Sequence, residues 1–188
     1  ALVETATAAF EDFDYARALE RTEQFFWGFT DDYVELVKAR AYGSQGPAAA
    51  ASAHASLATA LDTLLHLFAP FLPFVTAEVW SWANSESIHR SQWPDHQVMS
   101  SQLNPAIDTT VLDAAAQTLS EVRKAKTEAK RSLRVMAERV LVTAPREHLD
   151  LIELVRSDLM EAGHISTLEL VEQDNASPEV QVTLAPDE

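Results

Sequence analysis

The sequence predicts a mainly α-helical protein, with a helical bundle over residues 1–135 and a small α/β unit over residues 136–188. Three observations support this fold class. Apolar residues make up 47% of the chain and only 4 residues are Gly, which favours long helices over a turn-rich β architecture. Apolar side chains recur at spacings of three and four through much of the first part of the chain. The spacing then changes to two, as in strands.

Two long helices are expected first. Apolar residues follow the helical spacing from Tyr15 onward and Asp14 suits an N-cap, so the first helix should run from Tyr15 to near Gly43. A Gly-containing turn follows, and Pro47 suits the first position of the second helix. The buried stripe of the second helix is predicted to be Leu57, Leu61, Leu64 and Phe68.

Prolines end the second helix in the segment Ala69-Pro70-Phe71-Leu72-Pro73. Each Pro lacks an N–H and disfavours the helical conformation in the residue before it. A third helix should start at Pro73 and fade by Asn84, and residues 85–105 should form an ordered loop within the bundle. Core packing is the expected role of Phe71, Phe74 and Trp80.

The fourth helix contains the basic segment of the chain. Asp108 is its expected N-cap, with Ile107 and Leu112 spaced for a hydrophobic staple, and it should run to about Leu133. The predicted apolar seam is Leu112, Ala115, Leu119, Val122, Ala129 and Leu133, with Lys126 in a position where an apolar residue is due.

The residue pattern after position 135 predicts a β-α-β-β unit. A spacing of two at 140–143 indicates a strand, and a helix over 145–161 follows, ended by Gly163. Two more strands are expected at 165–171 and 180–184, joined by a polar turn.

Charge and composition limit the classes of function that the chain could have. The formal net charge of -15 argues against nucleic acid and favours an acidic helical protein-interaction module. Yet six of the 14 Lys and Arg residues lie between Arg123 and Arg134, where Glu128 is the sole acid. The chain has no Cys, which excludes disulfides and thiol-based sites and is compatible with the cytoplasm.

The first residues lack an initiator Met and a basic segment leading into an apolar one, so we expect a segment of a longer chain without a signal peptide. No apolar run is long enough to cross a bilayer, which predicts a soluble protein.

Three segments resemble class I aminoacyl-tRNA synthetases. Residues 69–80 resemble the signature Pro-Phe-x-Pro-Phe-(Val/Ile)-(Thr/Ser)-Glu-Glu-(Val/Ile)-Trp of the helical anticodon-binding domain in the Ile, Val and Leu enzymes, with Ala77 in place of a Glu. Residues 31–38 are similar to the valyl Asp-Trp-Tyr-(Leu/Ile)-Glu-x-x-Lys, with Asp32 in place of Trp. Residues 87–94 resemble the valyl Ser-Ile-x-x-x-x-Trp-Pro. The valyl branch is therefore the best match, and the isoleucyl or leucyl domain is the alternative.

The resemblance implies a bundle of the class I anticodon-binding type that binds the anticodon stem-loop of tRNA, with tRNA for valine as the expected partner. The full enzyme would activate valine with ATP and Mg in a catalytic body of the same polypeptide. The signatures His-Ile-Gly-His and Lys-Met-Ser-Lys-Ser are absent from these 188 residues, so we expect no catalytic residue or cofactor in this chain. Its His residues lack enough neighbouring ligands for a metal site. A monomer is expected.

The candidates for tRNA contact are Arg123, Lys124, Lys126, Lys130, Arg131, Arg134, Lys38, Arg40, Arg90 and Trp93. Arg123, Thr127, Lys130 and Arg134 are spaced as one helical stripe suited to phosphates, although a solvated face is the alternative. A Lys on an apolar seam more often extends along it than binds a ligand. Arginine and aromatic planes can stack on splayed bases. Trp93 beside Pro94 also suits a plug that pins the loop to the bundle.

Overall fold

The computed structural model describes residues 1–101, 108–174 and 177–186. It confirms a mainly helical chain with a small three-stranded sheet in its C-terminal part. The helices are α1 (Leu2–Glu11), α2 (Tyr15–Gly28), α3 (Val34–Ala41), α4 (Pro47–Phe68), α5 (Pro73–Ser81), α6 (His96–Ser101), α7 (Thr110–Glu128), α8 (Arg146–Leu154) and α9 (Arg156–Gly163). The strands are β1 (Ala137–Ala144), β2 (Ile165–Glu172) and β3 (Glu179–Leu184).

The chain forms two compact units, and they differ from the predicted division after residue 135. Unit 1 comprises Ala1–Asp31 and Ala51–Ile107, and unit 2 comprises Asp32–Ala50 and Asp108–Glu188. Helices α3 and α7 belong to the unit that holds the sheet, because α3 packs on α9 and α7 packs on α8, α9 and β3. The basic segment is therefore part of the α/β unit.

Helix α1 of unit 1 is not among the predicted elements. Its buried residues are Val3, Ala6 and Ala9, a stripe of small side chains that gives a weak hydrophobic signal. It packs on α2, whose buried residues are Ala18 and Thr22. Small side chains on both helices allow this packing.

The predicted helix from Tyr15 to near Gly43 contains an interruption. The Asp14 carboxylate accepts the Arg17 backbone N–H at 3.1 Å, which confirms the predicted N-cap. A π-helical turn at Phe29–Tyr33 separates α2 from α3. A π-turn adds a residue to one turn and so shifts which side chains share a face.

Helix α4 has the predicted start at Pro47, but its buried face is rotated from the predicted stripe. Leu64 and Leu67 are buried, whereas Leu61 is exposed and Leu57 is only half-buried. His66 is also buried, with its ring nitrogens bonded to the Asp62 carbonyl at 2.8 Å and Ser91 Oγ at 2.9 Å. A polar residue with hydrogen-bond partners thus occupies part of the buried face.

The predicted loop at 85–105 contains a 3-10 turn at Ile88–Arg90 and helix α6. The Asp95 carboxylate accepts the N–H groups of Gln97 and Val98 at 2.8 and 3.3 Å. Asp95 therefore caps α6, which is too short to show a hydrophobic period. The predicted staple residue Ile107 lies outside the described residues.

The start of α7 is displaced from the prediction. The Asp108 carboxylate accepts the backbone N–H of Thr110 at 2.9 Å and its hydroxyl at 2.6 Å, and these bonds lower the pKa of Asp108. The N-cap residue is nevertheless Thr109, one position later.

The sheet of unit 2 has the order β2-β1-β3, with β1 parallel to β2 and antiparallel to β3. Val140, in the central strand, pairs with Leu168 and Val182. The predicted helix over 145–161 is broken into α8 and α9 at Val155, whose φ of -118° is not helical. The β-α-β-β order is confirmed.

Helix α9 ends at Gly163, as predicted, and the left-handed residue after it is His164, with φ 47°. The role of Gly163 is steric. A Cβ at this position would lie 2.8 Å from the Ile165 Cδ1 atom. Glycine therefore allows the close approach of the following strand.

Candidate nucleic-acid interface

The basic segment is a helix end followed by a turn, which contradicts the prediction of a continuous helical stripe. Helix α7 ends at Glu128, and Lys130 has φ 55°. The N–H of Lys130 bonds to the Thr127 carbonyl at 2.9 Å, and the N–H of Arg131 bonds to the Lys126 carbonyl at 2.9 Å. This pair of bonds is a Schellman cap with Lys in the position that usually holds Gly.

We call residues 123–134 the basic turn. Arg123 is still on α7, whereas Lys130 and Arg134 lie beyond its end. The helical spacing that placed these three side chains on one face therefore does not apply.

Lys126 is a structural residue, which corrects its inclusion among the candidates for tRNA contact. Its side chain is only 1% exposed. The ammonium donates to the Gly163 carbonyl at 2.6 Å and to the Leu133 carbonyl at 3.0 Å. Burial lowers the pKa of Lys126. The lysine thus ties the end of α7 to the end of α9 and is closed to a ligand.

Three other members of the basic turn have partners within the protein. Arg123 lies 3.3 Å from an oxygen of Asp32, and Lys124 lies 3.3 Å from one of Glu121. Arg131 donates to the Ala185 carbonyl at 2.5 Å. Ligand binding by these side chains would compete with internal contacts.

Lys130 and Arg134 are the most available cations of the basic turn. Both side chains are exposed, and within the described residues neither forms an ion pair. The left-handed backbone of Lys130 costs about 1 kcal/mol relative to Gly, so an exposed lysine here is not explained by stability. An exposed cation without an acidic partner suits a phosphate.

The candidates at the end of α3 differ in exposure. Arg40 forms an ion pair with the buried Asp158 at 3.0 Å, and the Gln45 side chain donates to the same carboxylate at 2.6 Å. Lys38 is exposed and pairs with Glu35 at 3.3 Å. Arg40 is therefore mainly structural and Lys38 remains accessible.

Tyr42 is a candidate that the sequence analysis missed. It follows α3 directly and exposes 87% of its surface. The turn that contains it is anchored by the bond from Gln45 to Asp158. The signal available in the sequence was a tyrosine next to the predicted turn at Gly43, since an aromatic ring at a turn is suited to stacking on an unpaired base.

The loop candidates in unit 1 have different environments. Arg90 is exposed and forms no ion pair within the described residues. Trp93 donates its indole N–H to Thr7 Oγ1 at 2.9 Å and packs edge-on against Phe10 at 5.4 Å. These contacts agree with Trp93 as a plug that holds the loop.

The Pro-Phe-Leu-Pro-Phe segment packs only in part. Phe71 lies 5.7 Å from Phe10, and Trp80 donates to the Glu86 carbonyl at 2.8 Å. Phe74 is 90% exposed, which contradicts its predicted packing role. Pro73 is the first residue of α5, and Phe74 lies in the exposed first turn of this helix.

Within the described residues, no group of three or more His, Cys, Asp or Glu residues could hold a metal ion. None of the described helices combines the length and apolar character needed to cross a membrane.

Residues 1–141 match the family described as the anticodon-binding domain of tRNA ligase. The chain therefore belongs to this family, as its motifs predicted.

The relatives point to one branch of the family. A valine–tRNA ligase of Thermobifida fusca is 49% identical over 187 residues, covering 100% of this chain and 21% of the relative. Valine–tRNA ligases of Salinispora tropica and Leifsonia xyli are 42% and 41% identical, covering 95% and 100% of this chain and 22% of each relative. The chain thus spans about a fifth of the length of these relatives.

Proposed function

We propose that this chain is the anticodon-binding part of a valine–tRNA ligase and binds the anticodon stem-loop of tRNA for valine. The observation that carries the proposal is the 49% identity to a valine–tRNA ligase over the full length of the chain. ATP, Mg and valine would bind elsewhere in the longer polypeptide. The chain would contribute binding energy that helps to place the distant acceptor end of the tRNA.

The basic turn supports phosphate contacts despite the net charge of -15. Lys130 and Arg134 are exposed without an ion pair in the described part of the chain, so binding a phosphate would not require breaking an internal pair. Each neutralised phosphate should add about 0.7 to 0.9 to the slope of log affinity against log salt.

Exposed planar side chains support contacts with unpaired bases. Tyr42 in unit 2 and Arg90 in unit 1 are both available for stacking. Lys38 lies one turn before Tyr42 and could contact the adjoining phosphate. Stacking of one base on an aromatic ring contributes about 1 to 3 kcal/mol to binding.

The protein would work in the cytoplasm, where tRNA is charged, and the ligase would be a monomer. The rival function is an acidic protein-interaction module, which the net charge favours. An isoleucyl or leucyl ligase is the rival within the family.

The test is a low-salt titration of this chain with a valine-type anticodon stem-loop, alongside a stem-loop with a changed anticodon. Lys130→Ala and Arg134→Ala should each weaken binding and reduce the salt slope by about 0.7 to 0.9. Arg146→Ala is the charge-matched control, because Arg146 is exposed on α8 and pairs with Asp150. Equal loss in the control would show that only total charge matters.

The same variants should be assayed in the full-length ligase by the kcat/KM for tRNA. A fall for Lys130→Ala and Arg134→Ala with little change for Arg146→Ala is the expected result. Unchanged kcat/KM in both basic-turn variants would refute phosphate binding by this turn. Preferential charging of isoleucine or leucine tRNA would refute the valine assignment.

A further inference from the structure

One corner of unit 1 exposes large apolar side chains that the proposed tRNA contacts do not use. Phe74 exposes 90% of its surface and Phe13 exposes 77%. Tyr15 and Leu72 are about half exposed. We call these four side chains the aromatic corner. Exposed apolar surface of this kind commonly marks an interaction site.

Ring contacts link the two turns that carry the aromatic corner. Phe10 lies 5.8 Å from Tyr15 and 5.7 Å from Phe71, while Phe13 lies 6.4 Å from Tyr15. The turn between α1 and α2 therefore adjoins the turn between α4 and α5. Phe13 and Tyr15 lie at the first of these turns, and Leu72 and Phe74 lie at the second.

The backbone at Phe13 is in a conformation that favours glycine. Its φ is 59°, and the N–H groups of Phe13 and Asp14 close α1 by bonding to the carbonyls of Phe10 and Ala9 at 3.1 and 2.8 Å. A bulky side chain is disfavoured at this position, and exposing a phenyl ring adds a second unfavourable feature. Both features are explained if the ring has a partner in the complete protein.

Local contacts hold the backbone that carries Phe74. Pro73 fixes the first turn of α5 immediately before Phe74, and the Pro73 carbonyl contacts the His89 ring at 3.2 Å. A side chain presented on a fixed backbone loses little conformational entropy when it binds.

Charge favours a protein partner over RNA. Glu11, Asp12 and Asp14 flank Phe13 and are exposed, and Arg17 is the sole cation in the stretch 11–17. This acidic rim would repel phosphates and complement a surface with Lys and Arg around an apolar centre.

We infer that the aromatic corner docks on an apolar surface, rimmed by Lys and Arg, in the part of the ligase polypeptide that lies outside this chain. The inference rests on the proposed function. The chain covers only 21% of its Thermobifida fusca relative, so a polypeptide of that length has ample surface to supply the partner. Covalent linkage would keep the two surfaces at high effective concentration.

The test uses the full-length ligase with Phe74 replaced by the photo-crosslinking analogue p-benzoylphenylalanine. Irradiation followed by peptide mapping should yield cross-links within one polypeptide, to residues outside this chain. The same analogue at Trp27, an exposed aromatic of α2, is the matched control and should give few such cross-links. Cross-links to tRNA or to a second copy, no cross-links, or equal cross-linking from Trp27 would each overturn the inference.

A second measurement separates this inference from the proposed function. Phe13→Gly keeps the left-handed turn and removes the ring, and Phe74→Ser changes an exposed residue, so both variants should fold. Together they should lower the aminoacylation kcat/KM of the full-length ligase by about tenfold. The affinity of this chain for the anticodon stem-loop should stay unchanged, whereas an equal loss of that affinity would make the corner an RNA contact and overturn the inference. Failure of the unmodified chain to bind RNA would count against the proposed function alone.

Discussion

In each of the two units, one residue type occurs both packed inside the protein and exposed on its surface. In unit 1, Phe71 packs on Phe10 while Phe74, three residues later, is in solvent. In unit 2, Lys126 is buried between two carbonyls while Lys130, four residues later, is exposed. Aromatic rings have both roles in unit 1, and lysines have both roles in unit 2.

The distribution of charge separates the two units further. All but three of the 14 Lys and Arg residues are in unit 2, and the exceptions are Arg17, Arg21 and Arg90. The difference teaches that residue type and spacing identify a motif, while burial decides whether a given side chain supports the fold or is free for a ligand. Substitutions of one buried and one exposed residue of the same type can test whether burial determines the role of the side chain.

The largest expected effect is at the buried lysine. Lys126→Met keeps an unbranched side chain one atom shorter but leaves the Gly163 and Leu133 carbonyls without their donor, which should lower the free energy of unfolding by about 2 to 3 kcal/mol. Lys124→Met, on the exposed side of the same helix, should change it by less than about 0.5 kcal/mol. Urea unfolding measures both. Equal values would show that the buried lysine has no special role in unit 2.

The two phenylalanines of the proline motif should differ in the same way. Phe71→Ala removes a contact with Phe10 and should cost about 2 kcal/mol, less than for a fully buried ring. Phe74→Ala should change stability by less than about 0.5 kcal/mol, because the ring is exposed. Thermal unfolding of the two variants provides the comparison. A large loss for Phe74→Ala would mean that its ring packs in solution.

Two left-handed residues of unit 2 should gain stability from glycine. Lys130→Gly and His164→Gly should each raise the free energy of unfolding by about 1 kcal/mol, since glycine adopts positive φ without steric cost. Only Lys130→Gly should weaken binding to the anticodon stem-loop. Loss of binding together with a gain in stability would separate a ligand contact from a folding defect. Equal RNA affinity in both variants would argue against Lys130 as a contact.

The smallest expected effect is a pH dependence of stability that arises from His148 in unit 2. Burial lowers the pKa of His148 below its ordinary value of 6.5. As the pH falls, His148 therefore takes up a proton in the unfolded chain before it does so in the folded protein. The free energy of unfolding should decrease on acidification until His148 is also protonated in the folded state. His148→Gln should remove this part of the slope in urea titrations between neutral and mildly acidic pH. An unchanged slope would contradict the burial effect.

Local signals predicted where several elements begin. Asp14, Pro47 and Pro73 identify the starts of α2, α4 and α5, because caps and prolines act on neighbouring backbone groups. Helix α1 was missed because its buried side chains are small. Sequence reasoning is thus strongest where the cause lies within a few residues.

The candidate site could be predicted only in part for the same reason. The basic segment and its family resemblance are visible in the sequence. The burial of Lys126 depends on a carbonyl 37 residues away, and the partner of Arg40 is Asp158. Such long-range contacts also placed α7 in unit 2 instead of the predicted bundle.

The family match ends at residue 141, within the central strand β1 (Ala137–Ala144). A protein truncated there would lose both neighbours of β1, including Leu168 and Val182 opposite Val140. It would also lose the Gly163 carbonyl that receives the Lys126 ammonium. A solitary strand does not persist in water, so the smallest piece that retains this sheet must extend to Leu184. The region recognised by family similarity and the region needed to complete the sheet therefore have different C-terminal limits.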